Sequence, residues 1–497
     1  MKKIISSLLL LSFTLGAGFL YAQPKSEYTP QEYIDKVIKK DPNYKNAVVA
    51  IKAVDENGKV IAQWNSNLPL LTASTLKTIT TGLGLIYLGE NYRFTTKIAY
   101  CGTIKDGTIK DGTLSGNVHI IGGGDPTLGS SDPVAPPIDS IFGIWTNALK
   151  ALGINKIEGN IVVDDSYLER EVIPDSWTWG NIGYDYGSAP SGLPFNEDVQ
   201  KVKIVPGKNV GDETKIFVTY PQVPGFEYIN KVTTAAPKTG DQSEYYTSSL
   251  AKVGLFTGTV PCDRDTVRST ISNKFGYLSC GWEFREFLVR NGINVGHEIF
   301  TIDKVHDCQG LTPVTETYSK ELWKIVEVTN HISNNFYAET IFKTIGKVAT
   351  GEGSYSAASK TALKLLDSLG VKTVGYTQDD GSGLSRQNYL SPNFFVDFYT
   401  MMSTKPVFKK YIESMPYVGV GTFKNVMKGP EFNPEIAGRV HAKSGSLSSV
   451  KTYAGYVYGG EKTGLIKFAI LVNNYACPTR QIQKHLEGFM YSLASTE

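Results

Sequence analysis

The stretch from Leu71 to Leu88 constrains this chain most, because it predicts a buried helix that begins with a serine and a lysine on one face. Ser74 and Lys77 lie three residues apart, so the amine can reach the hydroxyl. Serine is a poor nucleophile at neutral pH unless an adjacent base activates it. A lysine suits that role because desolvation or a nearby cation lowers its pKa. The stretch therefore predicts a serine nucleophile with a lysine base.

The four-residue pattern Ser-x-x-Lys is not specific. It occurs again at Ser249–Lys252 and at Ser448–Lys451. An ordinary helix start with Thr72 or Ser74 as its N-cap would look the same. The rest of the sequence has to supply a second polar wall that handles the proton of the lysine. It also has to supply a strand that binds a carboxylate and helps to stabilise an oxyanion.

The N-terminus predicts export. Residues 1–3 are Met-Lys-Lys, an apolar run covers residues 4–20, and the small residue Ala22 follows. This pattern is typical of a secretory signal peptide, residues 1–22, that is cleaved after Ala22. A retained membrane anchor is the alternative, but the run is short for a spanning helix. We therefore expect a periplasmic protein with no stable membrane span after cleavage.

Length and charge narrow the class of protein. A chain of 497 residues is too long for one ordinary core and suits two or three domains. Lys and Arg together number 50 and Asp and Glu 48, which indicates neither nucleic-acid binding nor an acidic tail. The six histidines are scattered, without metal-ligand spacing, so we expect no metal site and no cofactor. The oligomeric state is not predicted.

The five cysteines fit an exported protein that forms disulfides, although the odd number leaves at least one thiol unpaired within the chain. Cys262 and Cys280 are the pair expected to form a bridge, and five buried free thiols are the alternative. The full set is Cys101, Cys262, Cys280, Cys308 and Cys477.

The order of predicted elements indicates an α+β domain built from both ends of the chain. A lead-in helix is expected over 28–45, and two strands precede the nucleophile helix, at 47–54 and 60–64. The region 96–275 predicts short strands with one helix at 140–152. The carboxyl-terminal half predicts helices at 282–291, 322–328, 336–347, 357–369, 394–400 and 408–414, strands at 438–446, 451–458 and 465–473, and a final helix at 480–493.

This order gives a prediction for the domains. A discontinuous catalytic domain covers 23–95 and 276–497, and a large, mostly β insertion covers 96–275. The insertion forms one or two extra domains. Its residues 122–124 are three glycines, but the segment lacks the Lys and the following helix of a phosphate-binding loop, so we expect a tight turn there.

Ser-x-Asn tripeptides are the candidates for the second wall of the site. Ser333-Asn334-Asn335 is the best placed, because it stands at the head of the helix predicted from Phe336. The same spacing occurs at Ser115-Gly116-Asn117 and Ser391-Pro392-Asn393.

Lys-Ser/Thr-Gly tripeptides are the candidates for the strand. Lys443-Ser444-Gly445 lies within a predicted strand that two more strands follow. Lys238 precedes the Ser333 element and belongs to the inserted region, and Lys462 lies at the tip of a predicted hairpin. Their tripeptides contain the commoner threonine, but position favours Lys443 over both.

The ordered set of Ser74 and Lys77, Ser333 and Asn335, and Lys443 resembles the penicillin-recognising serine acyltransferases. The wider sequence is similar to the D-alanyl-D-alanine carboxypeptidase/endopeptidase group of class C low-molecular-mass penicillin-binding proteins, the S13 peptidase family. The segments that carry this likeness are Leu88–Thr96, Gly122–Leu128, Asp379–Arg386 and Ala454–Val457.

The resemblance implies an antiparallel sheet flanked by helices and an acyl-enzyme reaction on peptidoglycan stem peptides and cross-links. The site would also be acylated by β-lactams as covalent inhibitors. The family roles make Ser74 the nucleophile and Lys77 its base, Ser333 a proton relay, Asn335 a holder of Lys77 and of the substrate amide, and Lys443 an electrostatic aid.

The resemblance also implies the substrate-binding residues. Ser444, beside Gly445, would bind the terminal carboxylate. The N–H groups of Ser74 and Ser446 would form the oxyanion hole, and Arg386 would lie near the peptide arm of the substrate.

This sequence departs from the family pattern in two ways. Ser444 stands where the family has threonine, which keeps the hydroxyl but loses a stiffening methyl group. In relatives an acidic residue of the insertion recognises the amine of the stem peptide, and here Asp165, Glu169 and Glu171 are equal candidates.

The alternative functions are a serine β-lactamase and a catalytically weak protein that binds peptidoglycan or senses β-lactams.

Overall fold

The computed structural model describes residues 25–103, 112–170, 173–296, 298–304 and 310–497. The expected signal peptide, residues 1–22, lies outside these ranges. Within them no helix combines the length and the apolar character that crossing a membrane requires.

The strands are, in chain order, β1 (Val48–Val54), β2 (Val60–Trp64), β3 (Leu70–Leu71), β4 (Thr95–Thr103), β5 (Thr113–Ile121), β6 (Lys156–Ile157), β7 (Ile161–Asp164), β8 (Val199–Val205), β9 (Lys215–Tyr220), β10 (Glu227–Asn230), β11 (Thr233–Ala235), β12 (Glu244–Thr247), β13 (Val253–Thr257), β14 (Thr259–Pro261), β15 (Val267–Ser272), β16 (Asn294–Val295), β17 (Ile299–Thr301), β18 (Thr312–Tyr318), β19 (Tyr389–Leu390), β20 (Val440–Leu447), β21 (Val450–Tyr458) and β22 (Leu465–Asn473).

The α-helices are α1 (Pro30–Tyr33), α2 (Lys77–Tyr87), α3 (Ile138–Ala151), α4 (Gly276–Arg290), α5 (Leu322–His331), α6 (Asn335–Thr350), α7 (Tyr355–Ser368), α8 (Pro392–Met402), α9 (Phe408–Glu413), α10 (Pro434–Ala437) and α11 (Thr479–Ala494). The helices and strands predicted for the carboxyl-terminal half are confirmed, with ends that differ by a few residues. The lead-in segment is not one helix, because Pro42 starts a separate 3₁₀ turn that Asp41 caps.

The largest antiparallel sheet joins the two ends of the chain. Its strand order is β2-β1-β22-β21-β20, and β1 pairs with β22 along its whole length, from Val48 opposite Asn473 to Val54 opposite Lys467. The central strands β21 and β22 are buried over eight of their nine residues each. Their sequences are therefore almost continuously apolar, as strands covered on both faces require.

Alternating residues of this sheet enter two different cores. Leu471 belongs to the core formed with α2, α5, α6 and α8, whereas its neighbours Ile470 and Val472 belong to the core formed with α11. Side chains of successive strand residues point to opposite faces, so one strand serves both layers. Helix α2, which follows the predicted nucleophile Ser74, lies in the first layer, where it packs on α5 and α6.

A second sheet contains β4, β5, β6, β7, β16, β17 and β18. Its core is rich in aromatic residues, with Trp145 of α3 packed edge-to-face on Phe284 of α4 at 5.1 Å between ring centroids. Three smaller sheets follow it, namely β15-β8-β9, β10-β13-β12 and β11-β14, and a short pair joins β3 to β19.

The domain boundaries given in the sequence analysis stay a prediction. The second sheet takes strands from both sides of residue 275, because β18 pairs antiparallel with β4 and β17 pairs parallel with β7. The chain thus leaves this sheet after Tyr318 and enters α5 at Leu322.

The expected bridge between Cys262 and Cys280 is wrong. Both residues, and Cys477, are free thiols. Cys280 is buried on α4 within the aromatic core of the second sheet, while Cys262 follows β14 in a different small sheet. Cys101 takes part in a disulfide bond, and Cys308 lies outside the described residues.

Candidate active site

The serine and the lysine are brought together by a tight turn rather than by an α-helix. Residues Ala73–Leu76 form a 3₁₀ turn, and α2 begins at Lys77. Side chains at positions i and i+3 eclipse each other in a 3₁₀ turn, which sets Lys77 directly over Ser74. Ala73 enters the turn with a φ of 45°, a left-handed conformation that side chains seldom adopt. Strain of this kind persists only where the surrounding structure imposes it.

The Lys77 amine has three polar neighbours. Its Nζ lies 3.0 Å from Ser74 Oγ, 2.6 Å from Asn335 Oδ1 and 2.8 Å from the carbonyl oxygen of Ser382. Lys77 is fully buried, and burial lowers its pKa to about 7 against the opposing charges of Glu339 and Asp380. A substantial fraction of this amine is therefore neutral at neutral pH.

The second motif lies on a strained turn between α5 and α6. Ser333 has a φ of 62°, and Asn334 caps α6 by accepting the Tyr337 N–H at 3.0 Å. The Asn334 amide donates to Glu197 Oε2 at 2.7 Å, and this bond connects the turn to the segment around residue 197. Asn335 is the first residue of α6, and the start of this helix directs the Asn335 side chain toward Lys77.

The third motif lies on β20, at the edge of the largest sheet. Lys443 Nζ donates to Ser333 Oγ at 2.9 Å and to the Ser444 carbonyl at 2.9 Å. Burial, then Lys77 and Lys451, lowers the pKa of Lys443 well below its ordinary range. A Cβ at Gly445 would lie 2.7 Å from the Thr72 carbonyl oxygen, so glycine is needed for this strand to approach the turn that carries Ser74.

The three motifs meet at one open cavity of about 460 Å³. Its lining includes four of the predicted residues, Ser74, Ser333, Asn335 and Ser446. Lys77 and Lys443 are not part of this lining, but each contacts a residue that is. Lys77 contacts Ser74 and Asn335, and Lys443 contacts Ser333. Ser444 and Gly445 lie next to Ser446 on β20 but outside this lining. Arg386 is exposed, and its guanidinium donates to the Ser448 carbonyl at 3.2 Å beside the rim.

Comparison with known proteins then identifies the family. Residues 31–493 match the model of the D-Ala-D-Ala carboxypeptidase 3 (S13) family. The chain belongs to this family. The predicted family and the predicted class of enzyme are confirmed.

Named relatives extend over most of the chain. A D-alanyl-D-alanine carboxypeptidase of an Actinomadura species is 27% identical over 462 residues, which cover 90% of this chain and 81% of the relative. The D-alanyl-D-alanine carboxypeptidase DacB of Haemophilus influenzae is 24% identical over 516 residues, 99% of this chain and 100% of the relative.

A solved structure shares the fold. The crystal structure of penicillin binding protein 4 (dacB) from Haemophilus influenzae aligns with a TM-score of 0.78 at 20% sequence identity, and covers 93% of this chain and 98% of that one. The predicted fold class is therefore confirmed: an α+β domain of the penicillin-recognising serine transferase type that carries additional parts.

The surroundings of Lys77 depend on a loop that sequence reasoning did not single out for this purpose. Residues 381–385 supply the Ser382 carbonyl to Lys77. Glu339 accepts the N–H groups of Gly381 and Ser382, each at 2.8 Å. Asp380 accepts the N–H groups of Gly383 at 2.7 Å and Ser385 at 2.6 Å. A buried glutamate in the middle of the apolar helix α6 was the signal that could have found this network.

Two further contacts of the site were also missed. Lys451 of β21 donates to Ser446 Oγ at 2.9 Å, and burial lowers the pKa of this lysine to about 8. Asn335 Nδ2 donates to the Tyr186 carbonyl at 2.8 Å. This second bond fixes the amide so that its oxygen, not its nitrogen, faces Lys77.

The three acidic candidates for reading a substrate amine lie in different surroundings. Asp165 is buried and forms an ion pair with Arg170 at 2.7 Å. Glu169 is exposed and lines a separate cavity with Asp175 and Asp379. Glu171 lies outside the described residues. Within the described ranges no cluster of three or more His, Cys, Asp or Glu side chains could hold a metal ion.

Replacing Asp380 tests whether the loop depends on it. Asp380→Ala leaves four donors without this acceptor, including the Trp177 indole and the Asn388 amide. Each buried unpaired donor costs about 1–3 kcal/mol, so we expect the free energy of unfolding to fall by at least about 3 kcal/mol. The matched control is Asp379→Ala, whose side chain contacts the Ser176 hydroxyl. Equal losses in the two variants, measured by urea unfolding, would contradict this account.

Proposed function

We propose that this protein is a serine D,D-carboxypeptidase and D,D-endopeptidase that acts on peptidoglycan stem peptides and cross-links through an acyl-enzyme. The observation that carries the proposal is the set of hydrogen bonds around the Lys77 amine. The family match supports the same reaction class.

A neutral amine fits the surroundings of Lys77. Neutral lysine has two N–H donors and one lone pair, whereas the ammonium has three donors and no acceptor. Two of its neighbours, Asn335 Oδ1 and the Ser382 carbonyl, can only accept. The third, Ser74 Oγ, can give up a proton to the lone pair. The neutral amine thus satisfies all three contacts and acts as the base for Ser74.

Acylation starts at Ser74. Its Oγ attacks the carbonyl carbon of the D-Ala-D-Ala bond while its proton moves to Lys77 Nζ. The oxyanion of the tetrahedral intermediate accepts hydrogen bonds from the N–H groups of Ser74 and Ser446. Ser444 binds the terminal carboxylate, and the Lys451 amine, whose pKa burial lowers only to about 8, favours a negatively charged group at that end of the cleft.

Departure of the leaving group needs a second proton relay. The C–N bond breaks as the leaving amine takes a proton from Ser333 Oγ, and Ser333 recovers one from Lys77. Lys443, at 2.9 Å from Ser333 Oγ, stabilises the transient negative charge on that oxygen. Water then attacks the ester carbonyl carbon and gives a proton to Lys77. The bond between that carbon and Ser74 Oγ breaks, and Ser74 Oγ takes the proton back from Lys77. Arg386, at the rim, would contact the peptide arm of the substrate.

We place this reaction in the periplasm. The support for that location is the basic and apolar N-terminal sequence, residues 1–22, which stays a prediction. The partners proposed are peptidoglycan as substrate and β-lactams as covalent inhibitors.

Product analysis tests the proposed function. Purified protein is incubated with cross-linked and with uncross-linked muropeptides, and the products are identified by mass. We expect the loss of a terminal D-Ala and the opening of cross-links. Ser74→Ala, the control, is expected to do neither. Release of hydrolysed penicillin without any change in the muropeptides would instead indicate a β-lactamase.

The rate of acylation should rise with pH through about 7. The base is the neutral form of Lys77, and burial lowers its pKa to about 7. Below that pH the neutral fraction falls about tenfold per pH unit, and above about pH 8 it levels off. The measurement is the acylation rate with a fluorescent penicillin between pH 5.5 and 9, with circular dichroism to show that the fold persists. A rate that is flat across pH 7 would contradict this assignment.

The identity of the third-motif lysine can be tested with a matched pair of variants. Lys443→Ala should slow penicillin acylation by about 10²–10³, the usual cost of losing one electrostatic contact of this kind. Lys462→Ala is the control, because Lys462 lies in the turn between β21 and β22. Its rate should equal that of the unaltered protein. A comparable slowing in both variants would argue against Lys443.

A further inference from the structure

An exposed group of aromatic side chains borders the catalytic cleft. We call it the aromatic patch, and it consists of Trp179, Tyr184, Tyr186 and Tyr246. Trp179 is 60% exposed, Tyr186 42% and Tyr184 36%, and Tyr246 is half-buried. Large aromatic residues that stay exposed together on a soluble surface usually mark a binding site.

The patch is built as two flat platforms. Trp179 stacks on Tyr246, with planes 12° apart and ring centroids at 6.2 Å. Tyr184 stacks on Tyr186, with planes 8° apart and ring centroids at 5.2 Å. Stacked rings support one another and keep their outer faces in fixed positions, so little entropy is lost when a ligand covers them.

One glycine brings the loop of residues 178–187 against β12. A Cβ at Gly183 would lie 1.7 Å from the Tyr245 carbonyl oxygen, so no other residue permits this approach. The contact sets Trp179 of the loop beside Tyr246 of the strand. The fold therefore fixes the position of Trp179 relative to Tyr246.

Carboxylates act on two of the ring residues. The Tyr246 hydroxyl donates to Glu244 Oε2 at 2.5 Å. Burial, then the charges of Glu244 and Asp241, raises the pKa of Tyr184. Flat apolar faces flanked by hydrogen-bond acceptors suit the rings and hydroxyl groups of a neutral sugar. The same carboxylates repel anionic polymers such as nucleic acids and polyphosphates.

The patch continues into the cleft. The Tyr186 carbonyl holds the Asn335 amide at 2.8 Å, and Tyr186 and Asn181 line the same cavity as Ser74. A stem peptide of four or five residues spans at most about 18 Å when extended. A substrate whose D-Ala end lies at Ser74 therefore has its sugar end within about 18 Å of Ser74, a span that exceeds the cavity shared by Ser74 and Tyr186.

We propose that the aromatic patch binds the sugar rings of the glycan strand to which the stem peptide is attached. This inference rests on the proposed function for the choice of polymer. It adds a binding site on the inserted region that would hold intact peptidoglycan while the cleft acts on the peptide.

The test measures binding to glycan strands from which an amidase has removed all stem peptides. Sedimentation or interferometry compares the unaltered protein with Trp179→Ala and Tyr246→Ala. We expect each variant to bind at least about tenfold more weakly, as for the loss of an aromatic anchor. Tyr318→Ala is the matched control, because Tyr318 is 49% exposed on β18, outside the patch. It should bind like the unaltered protein.

A second measurement separates this inference from the proposed function. Penicillin acylation and the cleavage of a sugar-free D-Ala-D-Ala peptide should be unchanged in Trp179→Ala, since neither ligand has a glycan. If the unaltered protein were inert toward both, the proposed function would fail while weaker glycan binding by the variants still upheld the patch. Glycan binding that is absent, or equal in all four proteins, would overturn the inference. Loss of sugar-free peptide cleavage in Trp179→Ala would do the same, because it would make the peptide the occupant.

Discussion

The buried amine of Lys77 is the interaction on which the site depends. It lies 3.0 Å from the Ser74 hydroxyl, and its other two contacts accept hydrogen bonds. Because those two acceptors come from Asn335 and from residue 382, the amine joins three distant parts of the chain. Removing any one of the three would leave a polar group unpaired in the interior, which costs free energy.

Burial disfavours the charged form of an amine, and the fold surrounds two buried lysines with hydrogen-bond acceptors. Lys77 and Lys443 are both fully buried, so each has its pKa lowered by desolvation. Hydrogen bonds from other residues hold the groups around these lysines in place. Glu339 and Asp380 fix the loop that offers its carbonyl to Lys77, and Thr452 donates to the Thr72 carbonyl at 2.8 Å beneath the nucleophile turn. The strained backbone at Ala73 and Ser333 is stabilised by these contacts rather than by local preference.

The predicted insertion, residues 96–275, also contributes contacts to the site. It supplies the Tyr186 carbonyl that orients Asn335, and Glu197, which holds Asn334. Residues 196–198 all have positive φ values, between 48° and 56°. This strained turn places Glu197 within hydrogen-bonding distance of Asn334 in the second motif. A change near Tyr186 can therefore alter the orientation of Asn335, and through it the contact with Lys77.

Sequence reasoning predicted the parts of this structure that repeat a local pattern. The apolar runs of β21 and β22 and the helices α5 to α9 follow from periodicity, and the three motifs follow from residue type and order. It did not predict the network of Glu339 and Asp380, because hydrogen bonds between residues far apart in the chain leave no periodic signal. The pairing of Cys262 with Cys280 failed for the same reason: spacing along the chain says little about distance in the fold. The strained turns at 73 and 333 were equally invisible, since neither residue is a glycine.

The most direct test of the account is the pKa of Lys77 itself. Protein with ¹³C-labelled lysine side chains is titrated by NMR, and the Lys77 signal is assigned by its absence in Lys77→Arg. We expect a titration midpoint of about 7. A midpoint near the ordinary lysine value of about 10.4 would mean that the amine is charged when Ser74 must react, and would contradict the mechanism at its first step.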